Sequence, residues 1–260
     1  MTAKAKWNDW EGRMREVMSD PNNKRIARVS NAGQIVKHRG YDCIVSHTGL
    51  LLDKESCYYD LHRVMLENRG VHEPQEEYVF GRVLDVLDTP VTMIELGSYW
   101  AYYSLMCQQR FPDATTYMIE PDPDRLQRGV LNFELNDMQG TEFVVGEIGN
   151  DGVNVAQFCR ERQLNEISIL HSDIQSYERH LLTVDNQVFE QQIPKFVFVS
   201  THSQSVHNDC KDALQSFDYH IVAEADFDND TFGFDGLLVA CRADIDFEFI
   251  DVFSRSQGSG

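Results

Sequence analysis

Two rhythms of hydrophobic and polar positions divide the chain near residue 75. Before it the pattern is irregular. Trp7, Trp10, Met14 and Val17 recur at helical spacing, and Asp20-Pro21-Asn22 ends that helix. The stretch 34–46 alternates as short strands turning at Arg39-Gly40, and Leu61, Val64, Met65 and Asn68 mark a second helix closed by Gly70. From residue 76 short apolar runs alternate with helical periods. The runs are Val91 to Leu96, Thr115 to Ile119, Glu142 to Val145, Ile167 to Leu170 and Phe196 to Ser200. Helices are expected at about 100–111, 123–136, 153–162, 175–191 and 205–217.

Apolar runs joined by helices are strands covered on both faces, which predicts an α/β fold with a doubly wound, Rossmann-like, mostly parallel seven-stranded sheet. Tyr219 to Ala225 and Gly236 to Cys241 are separated by a loop too short for a crossover helix, so one strand there should run antiparallel. Asp246 to Phe253 is a further candidate strand. The expected division is an N-terminal cap over residues 1–75, an α/β domain over 76–253 and a frayed tail over 254–260.

Composition narrows the partners. Lys plus Arg total 23 against 42 Asp plus Glu, a net charge of −19. That balance disfavours nucleic acid and anionic membranes and leaves a small molecule as the expected partner, with a homodimer open. No apolar run reaches transmembrane length, and Met1 to Lys6 lacks the apolar segment of a secretory signal. The six cysteines, at 43, 57, 107, 159, 210 and 241, form no C-x-x-C and read as reduced thiols of a cytoplasmic protein.

In open α/β sheets, ligands bind beyond the carboxyl ends of the strands. The first such turn reads Glu95-Leu96-Gly97-Ser98-Tyr99-Trp100-Ala101, and the second strand ends in Ile119-Glu120-Pro121-Asp122. Glu120 suits the two hydroxyls of an adenosine ribose, 23 residues after Gly97. A dinucleotide would want G-x-G-x-x-G, whereas Tyr99 and Trp100 are bulky and Glu95 would repel pyrophosphate. A cationic amino acid joined to adenosine, S-adenosylmethionine, fits better.

From about Val71 to Arg242 the sequence resembles the FkbM-type branch of class I S-adenosylmethionine-dependent methyltransferases. The resemblance rests on E-L-G-S-Y-W-A-Y-Y-S from Glu95, I-E-P-D-P-D-R-L from Ile119, N-F-E-L-N from Asn132 and L-H-S-D-I-Q-S-Y-E ending at Glu178. It implies that Glu95, Gly97 and Ser98, with Tyr99 and Trp100, line the methionine end and that Ser104 reaches its carboxylate. Glu120, with Pro121 and Asp122, would hold the ribose, and Gly146, Glu147 and Ile148 would lie near the adenine. The chain departs from the family where aromatic Tyr99-Trp100 replace a small residue, where His171-Ser172 replace a lysine before Asp173, and where Ser176 replaces glycine.

Methyl transfer to an alcohol needs a group that removes its proton. The fourth and fifth strands end in His171-Ser172-Asp173 and Ser200-Thr201-His202, with His207 shortly after. His202 is the expected base, with Asp173 orienting it or the acceptor and His171 as a further catalytic candidate. No metal ligands are assigned. A divalent metal on Asp173 and His202 is the less favoured branch, and a histidine–carboxylate pair would suit manganese, iron or zinc better than magnesium. The segment His72 to Glu77 reads as a helix amino terminus, and the loop from Asp226 to Gly233 as a solvated hairpin or lid without the spacing of a calcium loop. The expected function is O-methylation of a sugar-like or natural-product hydroxyl. The alternatives are an inactive cofactor-binding regulatory module and a nicotinamide oxidoreductase.

Overall fold

The computed structural model describes residues 9–57, 61–149 and 152–255. Trp7 lies outside them. Helix α1 (Trp10–Ser19) is capped by Asp9, whose carboxylate accepts from the Gly12 N–H at 2.9 Å. Strands β1 (Ile35–His38), β2 (Tyr41–Val45) and β3 (Leu51–Asp53) form a small antiparallel sheet. Helices α2 (Leu61–Glu67) and α3 (Pro74–Leu84) follow.

The remaining elements alternate strand and helix, as the sequence rhythm predicts. They are β4 (Thr92–Leu96), α4 (Tyr102–Arg110), β5 (Thr115–Glu120), α5 (Pro123–Leu135), β6 (Thr141–Val145), α6 (Val155–Glu161) and β7 (Ile167–Ser172), then α7 (Glu178–Thr183), α8 (Gln187–Glu190), β8 (Pro194–Thr201), α9 (Gln204–Ser216), β9 (Tyr219–Ala225) and β10 (Gly236–Arg242). Strand order is β6-β5-β4-β7-β8-β10-β9, and only β10 runs against its neighbours. This is the expected seven-stranded doubly wound sheet with one reversed strand.

Alternation fills two cores. Met93, Met118, Ile169, Phe196, Phe198 and Val239 point to one face; Ile94, Ile119, Leu170, Val197, Val199 and Leu238 point to the other. The first face also buries Met14 and Val17 of α1, Ile44 and Leu52 of the small sheet, and Leu61 and Met65 of α2. Helix α1 therefore spends its apolar stripe inside its own chain.

The N-F-E-L-N run explains how the small sheet is held. Asn132 accepts from the Asp53 N–H at 2.9 Å, while Asn136 accepts from the Leu51 N–H at 2.9 Å and donates to the Leu51 carbonyl at 2.7 Å. Side-chain amides of α5 thus satisfy a strand edge that would otherwise be orphaned.

Three expectations are corrected. Residues 246–253 form no strand: the Ile250 N–H meets the Val222 carbonyl of β9 without extending a ladder, and the Phe253 carbonyl accepts from the Asn22 side-chain amide. Ser254 is buried and Arg255 donates to the Asp230 carbonyl, so the ordered chain extends past 253. The helix expected over 175–191 is two short ones, because Gln175 and Ser176 have positive φ and Val184 to Asn186 break the period. All six cysteines are buried free thiols. No helix among the described residues is long and apolar enough to cross a membrane.

Candidate functional site

The carboxyl ends of β4, β5, β6 and β7 and the approach to β10 surround a cavity of about 440 Å³. Its lining includes Gly97, Tyr99, Glu120, Pro121, Gly146, Glu147, Ile148 and Asp173, all expected from the sequence. It also includes Ile119, Arg125, Ile174, Gln175, Tyr177 and Asp235, which sequence reasoning did not single out.

The β4 turn is tightly wound. Gly97, Tyr99 and Ala101 have φ of +73°, +42° and +63°, and the Gly97 and Ser98 N–H groups both donate to the Ile119 carbonyl. A Cβ on Gly97 would lie 1.8 Å from the Asp173 carbonyl oxygen, so only glycine lets these two strand ends meet. Tyr99 borders the cavity with its hydroxyl bonded to Arg128 at 2.9 Å and the Arg125 guanidinium over its ring.

Glu120 accepts the Tyr99 N–H on one oxygen and the Asp122 N–H on the other, each at 3.2 Å. Each oxygen keeps a lone pair for a ligand hydroxyl. Burial pushes this carboxyl above its ordinary range, against the lowering by those two bonds.

Five expected cofactor contacts are placed elsewhere. Glu95 is buried behind the turn, where its Oε2 accepts from the Ser104 N–H at 3.0 Å and from the Ser104 hydroxyl. The pair closes the α4 amino terminus, so neither residue reaches the cavity. Ser98 is buried and off the lining. Trp100 turns inward, stacked on Tyr102 and edge-on to His72, because the positive φ at Tyr99 and Ala101 swings it to the core face. Asp122 caps α5, accepting from the Asp124 and Arg125 N–H groups at 2.9 and 3.3 Å.

Of the three catalytic candidates, Asp173 and His202 meet and His171 stands apart. Asp173 borders the cavity, but His171 does not. It is buried against α3, 2.6 Å from Glu76 and stacked on Tyr103. The strand ends between the two, and Asp173 instead follows the β4 edge by donating its N–H to the Leu96 carbonyl at 3.0 Å. His202 sits just behind the cavity wall. Its Nε2 lies 3.1 Å from Asp173 and 3.5 Å from Asp235, and its Nδ1 is 3.2 Å from Glu178. Burial opposes charge on this ring, but its bonds to Asp173 and Glu178 and the field of Asp235 prevail and push its pKa up to about 11. A ring already protonated cannot take a proton, which corrects the expectation that His202 alone is the base. Burial opposes the charge on Asp173, but its bond to His202, the fields of His202 and His171 and the Gln175 amide together hold it below the ordinary carboxylate range. His207 is buried between Thr201 and Glu224 and belongs to the frame.

Asp235 was missed because it ends a polar loop, yet the topology contained the signal. It immediately precedes β10, whose Gly236 is in register with Thr201, so the reversed strand delivers Asp235 beside His202.

The segment His72 to Glu77 is more than a helix start. Glu77 is fully buried and gathers His72 at 2.8 Å, His47 at 2.9 Å and the Tyr102 hydroxyl at 3.0 Å. Glu73 takes the other His72 nitrogen at 3.1 Å and the Tyr103 hydroxyl at 2.8 Å. This network ties the small sheet and α3 to α4.

No protein-family model and no curated sequence matches the chain. Among solved structures the chain is similar to M. capricolum TrmK in complex with S-adenosyl-homocysteine, at 15% identity over 67% of this chain and 70% of that one, TM-score 0.46. It is similar to the ribosomal protein L11 methylase of Lactobacillus delbrueckii subsp. bulgaricus, at 11% identity over 66% and 80%, TM-score 0.48. It is also similar to a SAM-dependent methyltransferase from Agrobacterium tumefaciens, at 13% identity over 67% and 64%, TM-score 0.47, so it spans just under two thirds of that protein.

Proposed function

We propose that the cavity holds S-adenosylmethionine and that the protein is a methyltransferase, of the FkbM-type branch, acting on a hydroxyl of a small acceptor. The observation that carries this reading is the pairing of Glu120 with the Gly97 turn across a cavity of about 440 Å³, a volume suited to one adenosyl amino acid. The occupied α4 amino terminus argues the same way. Glu95 already takes the N–H of Ser104 where a pyrophosphate would need free donors, which weighs against the nicotinamide alternative.

The residues present fit the cofactor. Glu120 would accept from the ribose hydroxyls. Tyr99, Ile119 and Ile148 give apolar walls, and Gly146 keeps the β6 end low, since a Cβ there would meet Val153 at 2.5 Å. When bound, the sulfonium supplies both the methyl group and the leaving group. Asp173 would orient the acceptor hydroxyl, and its carboxylate, held by His202, would take the proton.

Isothermal calorimetry of S-adenosylhomocysteine on the full chain tests this reading. Binding by the wild type that weakens at least tenfold in Glu120→Ala is expected, since the loss of charge-assisted hydrogen bonds costs about 1.5–3 kcal/mol. No uptake of either S-adenosylhomocysteine or S-adenosylmethionine would sink it. Release of S-adenosylhomocysteine only when an acceptor is added separates the enzyme from an inactive binding module.

A further inference from the structure

We propose that Asp173, His202 and Asp235 form a binding site for one divalent first-row transition ion of the manganese class, with Glu178 orienting the imidazole. One ligand atom from each of the three lies within 4.8 Å of the other two. His202 Nε2 is 3.1 Å from Asp173 Oδ1 and 3.5 Å from Asp235 Oδ1. Two ligand atoms each roughly 2.1 Å from a shared ion stand about 3.0 Å apart at a right angle and about 3.4 Å apart at a tetrahedral one. The observed spacings are therefore already those of neighbouring ligands.

The surroundings of the ring supply an independent reason. Two carboxylates, Asp173 and Asp235, face a single nitrogen, and the Gln175 amide, 2.8 Å from that nitrogen, donates to Asp173 Oδ1 at 3.2 Å. A lone proton on Nε2 answers one of them at a time, whereas a cation among them answers both carboxylates and the ring together. On the opposite edge Glu178 is fully buried, anchored by the Ile174 N–H at 2.9 Å, and faces Nδ1 at 3.2 Å. A carboxylate held on one ring nitrogen fixes the tautomer that offers the other as a ligand.

Three adjacent strand ends hold the donors. Asp173 follows β7, His202 follows β8, and Asp235 is set by the β8–β10 register. Once the ion displaces the ring proton, two carboxylates and a neutral imidazole carry −2, which a divalent ion cancels. The imidazole favours manganese, iron or cobalt over magnesium, which prefers an all-oxygen shell. Asp173, Gln175 and Asp235 border the cavity, so an ion held among them abuts the ligand space. Its role there, lowering the pKa of the acceptor hydroxyl, rests on the methyl-transfer reading. The site itself does not.

Mn²⁺ added to chelator-treated full-length protein, followed by the loss of free-ion EPR signal and by calorimetry, tests the site. One ion per chain is expected. Binding should weaken at least tenfold in His202→Ala and in Asp235→Asn, and tenfold to a hundredfold in Glu178→Gln, with circular dichroism confirming that each variant is folded. Should His202→Ala not fold, Asp235→Asn decides. No uptake of millimolar Mn²⁺ by the wild type, or unchanged affinity in the folded ligand variants, overturns the proposal. Mn²⁺ uptake without S-adenosylhomocysteine binding would keep this site and remove the methyltransferase reading; the reverse pair of results would do the opposite.

Discussion

Two clusters of imidazole and carboxylate lie in this molecule, one sealed and one open. Around Glu77, two histidines and two tyrosine hydroxyls are matched to two carboxylates, all of them buried except the partly exposed Glu73. Around His202, the carboxylates outnumber the ring, and Asp173 keeps 34% of its side chain exposed. The same chemistry thus serves two ends. Where water is excluded and partners are paired, the network fastens α3 and the small sheet to α4. Where the cavity opens, Asp173 and Asp235 border the space a ligand would enter. Access to the cavity, more than residue type, separates a fastening from a site.

Breaking the sealed cluster should cost most. Glu77→Gln leaves His72 and His47 without their shared anion, and a loss of about 3–5 kcal/mol in unfolding free energy is expected. Asp235→Asn, at the rim of the open cluster, should change chemical denaturation by less than about 1 kcal/mol. Equal losses in the two variants would erase the distinction.

A pH series sharpens it further. His72 is pushed up to about 10: burial opposes its charge, but Glu73 and Glu77 prevail, while the rings of Trp100, Tyr102 and Tyr103 complete its surroundings. Its folded pKa exceeds its unfolded value of about 6.5. The folded state therefore binds the extra proton, and this contribution is whole below about pH 6.5 and declines as pH rises towards 10. Melting temperature should fall across that window. His72→Gln should be less stable at pH 6 and should flatten the slope; an unchanged slope would place the titration elsewhere.

The smallest effect belongs to the loop beneath the open cluster. Ser176 has φ +80°, a conformation that costs a non-glycine residue about 1 kcal/mol. Ser176→Gly should raise the unfolding free energy by no more than that amount, and a lower value would show that the hydroxyl has a structural role.

The sheet was legible in the sequence because strands buried on both faces leave continuous apolar runs, and the reversed strand because a ten-residue loop cannot cross over. Gly97 and Glu120 were legible too, since a turn and a strand end are local features. Trp100, Ser104 and Glu95 were not. Their placement depends on positive φ at Tyr99 and Ala101, which no hydrophobic period signals. His171 looked like a partner of Asp173 by strand alternation, but the strand ends between them and Glu76 claims the ring. Glu76 lies 95 residues away in the chain, a separation that local patterns do not bridge.

The pairing of Gly236 with Thr201 makes strand register a chemical parameter. Side chains on a strand alternate, so a slip of β10 by one residue against β8 would swing a neighbour of Asp235 toward His202 and turn the aspartate away. Loop tips usually tolerate gain or loss of residues; the arc that starts at Asp226 can change length at its tip, whereas its last residue is held by the ladder that follows and fixes which functional group stands opposite the imidazole.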